Sequence, residues 1–335
     1  MYGAAATVPM VLSDTWRSLA RALLGEPEFT SLEVARETGV DPEVARRLWR
    51  ALGFPPVPDD ERVFTRSDVA MLRAARALVE QGAAEPHVLM QLTRVTGQSL
   101  ARVAEAQVAT TADRLARTGE ESELASVEAI ANALPSFLTD LEPFLSYVWR
   151  RHLLAAVFRF AAATGSPSPT RPMAVGFVDL VGFTAVSQQL DAEALAALVE
   201  RFEALAYEHI PERGGRVIKT IGDSVMFAAD EATVAAEIAL ALVEAYARDA
   251  ALPDVRVGLA YGETLSWEGD LFGRTVNLAN RLVNLARPGT VLASEELGQQ
   301  LKTNGGFVLR HRRRIGLKGI GRVRVWVVRR APAPA

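Results

Sequence analysis

Apolar positions recur at helical spacing through the first half of the chain and in short strand-like runs through the second. In residues 1–160, runs such as Val69, Leu72, Ala75, Leu78 and Val79 mark one face of a helix, and few segments alternate. This half is predicted to be almost entirely helical. Residues 142–164 read as one long helix rich in aromatics, with Phe144, Tyr147, Trp149, Phe158 and Phe160. The sequence GSPSPTRP at 165–172 cannot continue a helix, so it is taken as a linker. Beyond it the pattern predicts a strand at 173–179, a helix at 192–209 and a strand at 215–220. A tight turn at Gly222-Asp223 leads into a strand at 224–228. A helix at 232–248, a strand at 255–261 and a helix at 276–286 follow, then a strand at 290–293. A last hairpin pairs 307–316 with 323–329, and APAPA at 331–335 reads as a disordered tail. Strands joined through 221–223 are antiparallel, which predicts an α+β unit with a mixed sheet.

At 335 residues, 49% hydrophobic and 23% charged, the chain has material for about two domains with buried cores. Its net charge of −3 is no footprint for nucleic acid or an anionic membrane. The absence of cysteine excludes disulfides, thiolate metal sites and cysteine nucleophiles. Lysine occurs only at Lys219, Lys302 and Lys318, against 34 arginines, a bias expected of a GC-rich genome. No stretch reaches the roughly 18 uninterrupted apolar residues of a membrane span, and no secretory signal is visible. A cytoplasmic protein without a membrane span is therefore expected.

Two carboxylates carry the candidate chemistry. Asp179 closes an apolar strand, and Gly182, Phe183 and Thr184 turn into a helix whose free N–H groups suit phosphate oxygens. Asp223 sits at the tip of a hairpin between two apolar strands. If those strands neighbour the first, both carboxylates converge, as hard divalent cations require. Read singly, Asp179 is a turn or N-cap residue, and Asp223 is a type I′ hairpin residue.

The segments FVDLVGFT, KTIGDSVMF, VRVGLAYGE and GDLFGRTVNLANR occur in this order. Together they closely resemble the catalytic domain of class III adenylyl cyclases over about residues 172–330. The resemblance implies a ferredoxin-like mixed sheet with helices, preceded by an all-α regulatory domain at 1–164. It makes Asp179 and Asp223 the ligands of two divalent cations, Mg²⁺ or Mn²⁺, with the carbonyl of Leu180 as a further ligand. Lys219 and Asp270 fall on the adenine-recognising positions. Asn277 and Arg281 fall on those that orient the ribose and stabilise the transition state. Arg256 and Lys318 resemble the residues holding the distal phosphates, with Phe183 and Thr184 also on the substrate. The one minor departure is Asn280, where a small residue is common.

The implied chemistry agrees with the residue types. An aspartate accepts from adenine N6–H₂ and a lysine donates to N1, whereas guanine presents the opposite pattern. Asn277 and Arg281, four apart on a helix, share a face, and Leu278, Leu282 and Leu285 form another stripe suited to packing on the sheet. The resemblance implies conversion of ATP to 3′,5′-cyclic AMP by a homodimer with two interfacial sites.

In the N-terminal half, residues 30–75 resemble a helix-turn-helix. Its second helix, about 42–52, would offer Arg46, Arg47 and Arg50 to a major groove. Residues 1–160 hold 17 arginines and no lysine against 21 acidic residues, which argues against DNA. Soluble actinobacterial cyclases of this layout resemble the whole chain, which implies that the helical half regulates catalysis, usually by restraint. A nucleotide sensor without turnover and a DNA-binding regulator are the competing readings.

Overall fold

Capping chemistry sets the helices of the first half. The computed structural model describes residues 10–117, 123–162, 168–304, 306–317 and 319–332. It divides into two units, Met1–Gly165 and Ser166–Ala335. The first holds α1 (Met10–Leu24), α2 (Ser31–Thr38), α3 (Pro42–Ala51), α4 (Arg66–Glu80), α5 (Pro86–Arg117) and α6 (Glu123–Ala162). Thr30 and Glu33 form a reciprocal capping box at the start of α2, and Gly39 ends that helix at φ 67°. Asp41 caps α3 with Pro42 in its first turn. Val34, Leu48, Phe64, Val69 and Leu72 form the small core beneath these helices. The helix-turn-helix shape is present, but two of its three candidate arginines are engaged. Arg46 pairs with Glu43 at 3.1 Å and Asp59 at 3.2 Å, and Arg50 pairs with Glu43 at 3.1 Å.

The long helix expected from residue 142 starts at Glu123 instead and runs through Pro135 and Pro143 to Ala162. Each of these two prolines removes only one i→i−4 bond, which a helix of 40 residues absorbs. Residues 163–167, where that helix was expected to end and the linker to begin, lie outside the described residues.

The second unit runs β1 (Thr170–Leu180), α7 (Phe183–Ser187), α8 (Ala192–Glu212), β2 (Arg216–Ile221), β3 (Ser224–Ala229) and α9 (Ala232–Arg248). It continues with β4 (Val255–Trp267), β5 (Asp270–Phe272), α10 (Arg274–Leu285) and β6 (Val291–Ser294). It closes with α11 (Glu295–Lys302), β7 (Phe307–Leu317) and β8 (Gly321–Arg330). One sheet takes the order β2-β3-β1-β4-β6-β8-β7, with β5 paired to β4. β4 and β6 are parallel and the other pairs antiparallel, the mixed α+β sheet expected.

β1 begins three residues earlier than its apolar pattern suggested, and takes in Pro172. There it pairs only with β4, because pairing to β3 starts at Ala174, so one edge makes no demand for the missing N–H. β1 is covered on both faces, which explains its unbroken apolar run. Ala174, Val178 and Leu180 join the core formed with Phe202 of α8, Ile238 and Leu242 of α9 and Leu297 of α11. Met173, Val175 and Phe177 face Leu278, Ala279, Leu282 and Val283 of α10. Leu285, expected on that stripe, is exposed at the end of α10.

Lys302, which had no assigned role, lies 4.5 Å from the centre of the Trp326 ring. Within the expected tail, Ala331 donates its N–H to the Gly306 carbonyl at 3.0 Å, while residues 333–335 lie outside the described residues.

α10 rides directly on β4 at Gly258. A Cβ there would lie 2.2 Å from the Val283 nitrogen and 2.5 Å from the Ala279 oxygen. Both are backbone atoms of a packed helix and cannot step aside. Gly258→Ala is expected to destabilise the protein by about 1–3 kcal/mol in urea unfolding; an unchanged midpoint would contradict this close approach.

Candidate active site

The end of β1 brings the two candidate carboxylates together. Asp179 lies opposite Ser224 of β3 and Arg256 of β4. The two-residue turn after β2 places Asp223 beside it. Leu180 donates its N–H to the Asp223 carbonyl at 3.1 Å, and Val181 donates to the Asp254 carbonyl at 2.8 Å. Gly222 has φ 60°, and Asp223 stays outside the left-handed region. That combination is a type II′ turn, not the type I′ considered from sequence. Asp223 therefore needs no strained backbone to sit at the tip.

Asp179 is largely buried, its side chain 14% exposed; its Oδ2 accepts from Arg256 Nε at 2.8 Å and is ion-paired with Nη2 at 2.6 Å. Arg256 Nη1 also donates to the Asn284 carbonyl, in the last turn of α10, at 3.3 Å. Burial pushes the Asp179 carboxyl above its ordinary value, the Arg256 hydrogen bonds and charge oppose this, and the charge of Asp223 adds to the rise. Arg256, expected at the distal phosphates, is thus bound to a candidate metal ligand.

The pair fits divalent cations by its donor set. Two carboxylates at a strand end offer hard oxygens, the ligands Mg²⁺ and Mn²⁺ prefer. Among the described residues no cluster of three or more His, Asp or Glu forms a complete cage. Gly182, φ 73°, precedes the adjoining α7 as its N-cap. Ala185 and Val186 donate to the Gly182 carbonyl, so the N–H groups of Phe183 and Thr184 stand at the open end of its first turn.

A second group forms elsewhere on the sheet. Lys219 of β2 is ion-paired with Asp270 of β5, both partly buried. Asp270 Oδ1 also accepts from the Leu271 N–H at 2.8 Å. β5 was missed in the sequence because it is only three residues long. Its signal was the dipeptide Glu268-Gly269, with φ 51° and 80°, the two positive values of a type I′ turn. That turn sets Asp270 opposite Trp267, eleven positions along β4 from Arg256. Asn277 and Arg281 project from the exposed face of α10. Thr275, also missed, anchors the start of that helix by donating to the Glu263 carbonyl at 2.7 Å. Among the described residues, no hydrogen bond or ion pair joins the Asp179 group to the Lys219 group. Lys318 lies outside the described residues.

Residues 166–330 match the adenylate and guanylate cyclase catalytic domain, and residues 5–157 match the adenylate cyclase regulatory domain. An adenylate cyclase of Streptomyces coelicolor is 40% identical over 277 residues, covering 82% of this chain and 72% of its own. One from Glutamicibacter nicotianae is 36% identical over 333 residues, covering 94% and 82%. The chain belongs to the class III cyclases. It joins a helical regulatory domain to one cyclase domain with the expected mixed-sheet fold. Among solved structures, the adenylyl cyclase CyaB from P. aeruginosa aligns at 25% identity and a TM-score of 0.41, over 49% of this chain and 97% of its own. Among the described residues of the cyclase, no helix is long and apolar enough to cross a membrane.

A raised carboxyl pKa means that the folded cyclase holds this proton more tightly than the unfolded chain does. The associated stability is present below the ordinary value of 3.8 and is lost as pH rises through the raised one. In metal-free buffer at pH 7, Asp179→Asn is therefore expected to unfold at the same or higher urea concentration than wild type. Its advantage should shrink toward pH 3; a lower midpoint at pH 7 would contradict the strained carboxylate.

Proposed function

We propose that this cyclase converts ATP to 3′,5′-cyclic AMP and pyrophosphate in sites shared by two copies of the chain, under restraint by its N-terminal unit. The observation that carries the reading is the Lys219–Asp270 pair, since it joins the two side chains that match adenine and reject guanine. Asp270 accepts from N6–H₂ and Lys219 donates to N1. Guanine would set N1–H against the ammonium and O6 against the carboxylate, leaving both partly buried groups unpaired. Their mutual ion pair holds both groups near the base position before a nucleotide arrives.

The remaining residues divide the work. Asn277 orients the ribose so that its 3′-oxygen lies in line with the α-phosphorus. Arg281 offers a planar fork to the α-phosphate as charge builds there. Arg256, Lys318 and the N–H groups of Phe183 and Thr184 take the departing phosphates. Asp179, Asp223 and the Leu180 carbonyl would hold two Mg²⁺ or Mn²⁺ ions, which would supply positive charge to the attacking and leaving oxygens. The two groups lie on different elements of one chain, with no hydrogen bond or ion pair between them among the described residues. A homodimer in which each copy lends one group to its partner's substrate accounts for this separation.

Two assays test the reading. Full-length protein and the 166–335 fragment are incubated with ATP and Mn²⁺ or Mg²⁺, and cyclic AMP is measured. Product from both, faster per domain from the fragment, is expected; no product from either contradicts the enzyme, and equal rates contradict the restraint. Replacing the base pair (Lys219→Glu with Asp270→Cys) is expected to cut the kcat/KM preference for ATP over GTP by roughly a hundred-fold or more. An unchanged preference would remove Lys219 and Asp270 from purine recognition.

A further inference from the structure

Arg256 makes a contact that phosphate binding alone does not explain. Two of its nitrogens converge on a single oxygen of Asp179, at 2.8 and 2.6 Å, and the third reaches the Asn284 carbonyl at 3.3 Å. Its side chain is 28% exposed and that of Asp179 14%, so the contact is mostly shielded from water. The register places the two residues directly opposite on neighbouring strands. Both project to the α10 face, because Phe177 on β1 and Ala260 on β4, an even number of positions away, lie in that core.

We infer that Arg256 is a counter-ion latch: it closes Asp179 to divalent cations until a polyphosphate draws the guanidinium away, so that metal and nucleotide bind with positive coupling. The inference rests on the cyclase reading, in which Asp179 is a metal ligand. A guanidinium cannot lose its proton in this pH range, so the latch opens only by movement. A cation arriving alone would have to share the Asp179 oxygen with a fixed positive charge a few ångströms away. A triphosphate offers that charge several oxygens in the fork geometry a guanidinium prefers, and more negative charge than one carboxylate. The bond to Asn284 keeps the guanidinium beside the site while its partner changes. The two assignments of Arg256, to phosphate and to Asp179, then describe two states of one residue. Linkage makes the effect reciprocal: whatever factor nucleotide adds to metal affinity, metal adds to nucleotide affinity.

The test titrates the full-length protein with Mn²⁺ alone, following free Mn²⁺ by electron paramagnetic resonance, with circular dichroism to verify folding. Arg256→Gln is expected to bind Mn²⁺ at least ten-fold more tightly than wild type without nucleotide. Adding Asp179→Asn should return affinity to the wild-type level or below. Arg256→Lys keeps the charge but cannot span Asp179 and Asn284 together, and should tighten binding by a smaller factor, about three-fold. Equal affinity in wild type and a folded Arg256→Gln overturns the latch, as does tight binding that survives Asp179→Asn. If Arg256→Gln does not fold, unchanged affinity in Arg256→Lys overturns it. Cyclic AMP formation by the wild type is measured in parallel. Product without the affinity change removes the latch and leaves the cyclase, and the affinity change without product does the reverse.

Discussion

Asp179 and Asp223 carry like charge, and the chain forces them together at the least solvated end of its central strand. The Leu180 N–H bond to the Asp223 carbonyl fixes their separation, and Arg256 supplies the compensating charge. Much of the second unit serves that arrangement. β1 is apolar on both faces because it must be buried for a carboxylate at its end to be held rigidly. The Gly222 turn puts Asp223 at a hairpin tip without strain, and α10 lies close enough on Gly258 for its last turn to offer Arg256 a carbonyl. A largely buried carboxylate beside a second one favours positive charge near it, whether a guanidinium or a divalent cation.

Separation of the reactive groups is the second constraint. The carboxylates leave from the strand end, and the base-reading pair leaves from β2 and β5. Asn277 and Arg281 lie on the exposed face of α10. A helix that buries Leu278 and Leu282, yet presents an amide and a guanidinium four residues apart on its exposed face, is suited to a ligand carried by another surface.

Much of this was legible before any coordinates. The strand–turn–helix around Asp179, the hairpin tip at Asp223 and the shared face of Asn277 and Arg281 follow from local pattern, because each depends on residues within one or two turns. What the sequence hid depends on distance along the chain. The Asp179–Arg256 pair spans 77 positions, and no local pattern announces it. β5 is too short for periodicity to register and shows only through Glu268-Gly269. The early start of β1 at Thr170 was masked by Pro172, which reads as a breaker until its unpaired edge is known. Leu285 fell on the apolar stripe by period alone, but α10 ends there and leaves it exposed. In the first unit, helical spacing announced helices, while the start of α6 at Glu123, ahead of Pro135 and Pro143, was hidden because a long helix tolerates prolines.

The central claim is that the carboxylates of one copy work with the α10 residues of another. Asp223→Ala and Arg281→Ala, each made separately in the full-length protein, remove one contribution apiece. Each variant alone should form almost no cyclic AMP. Mixed and allowed to exchange subunits, they should regain a measurable fraction of wild-type activity, because one site of each mixed dimer is free of both lesions. Mixed dimers demonstrated in solution but as inactive as either variant alone would contradict the shared site.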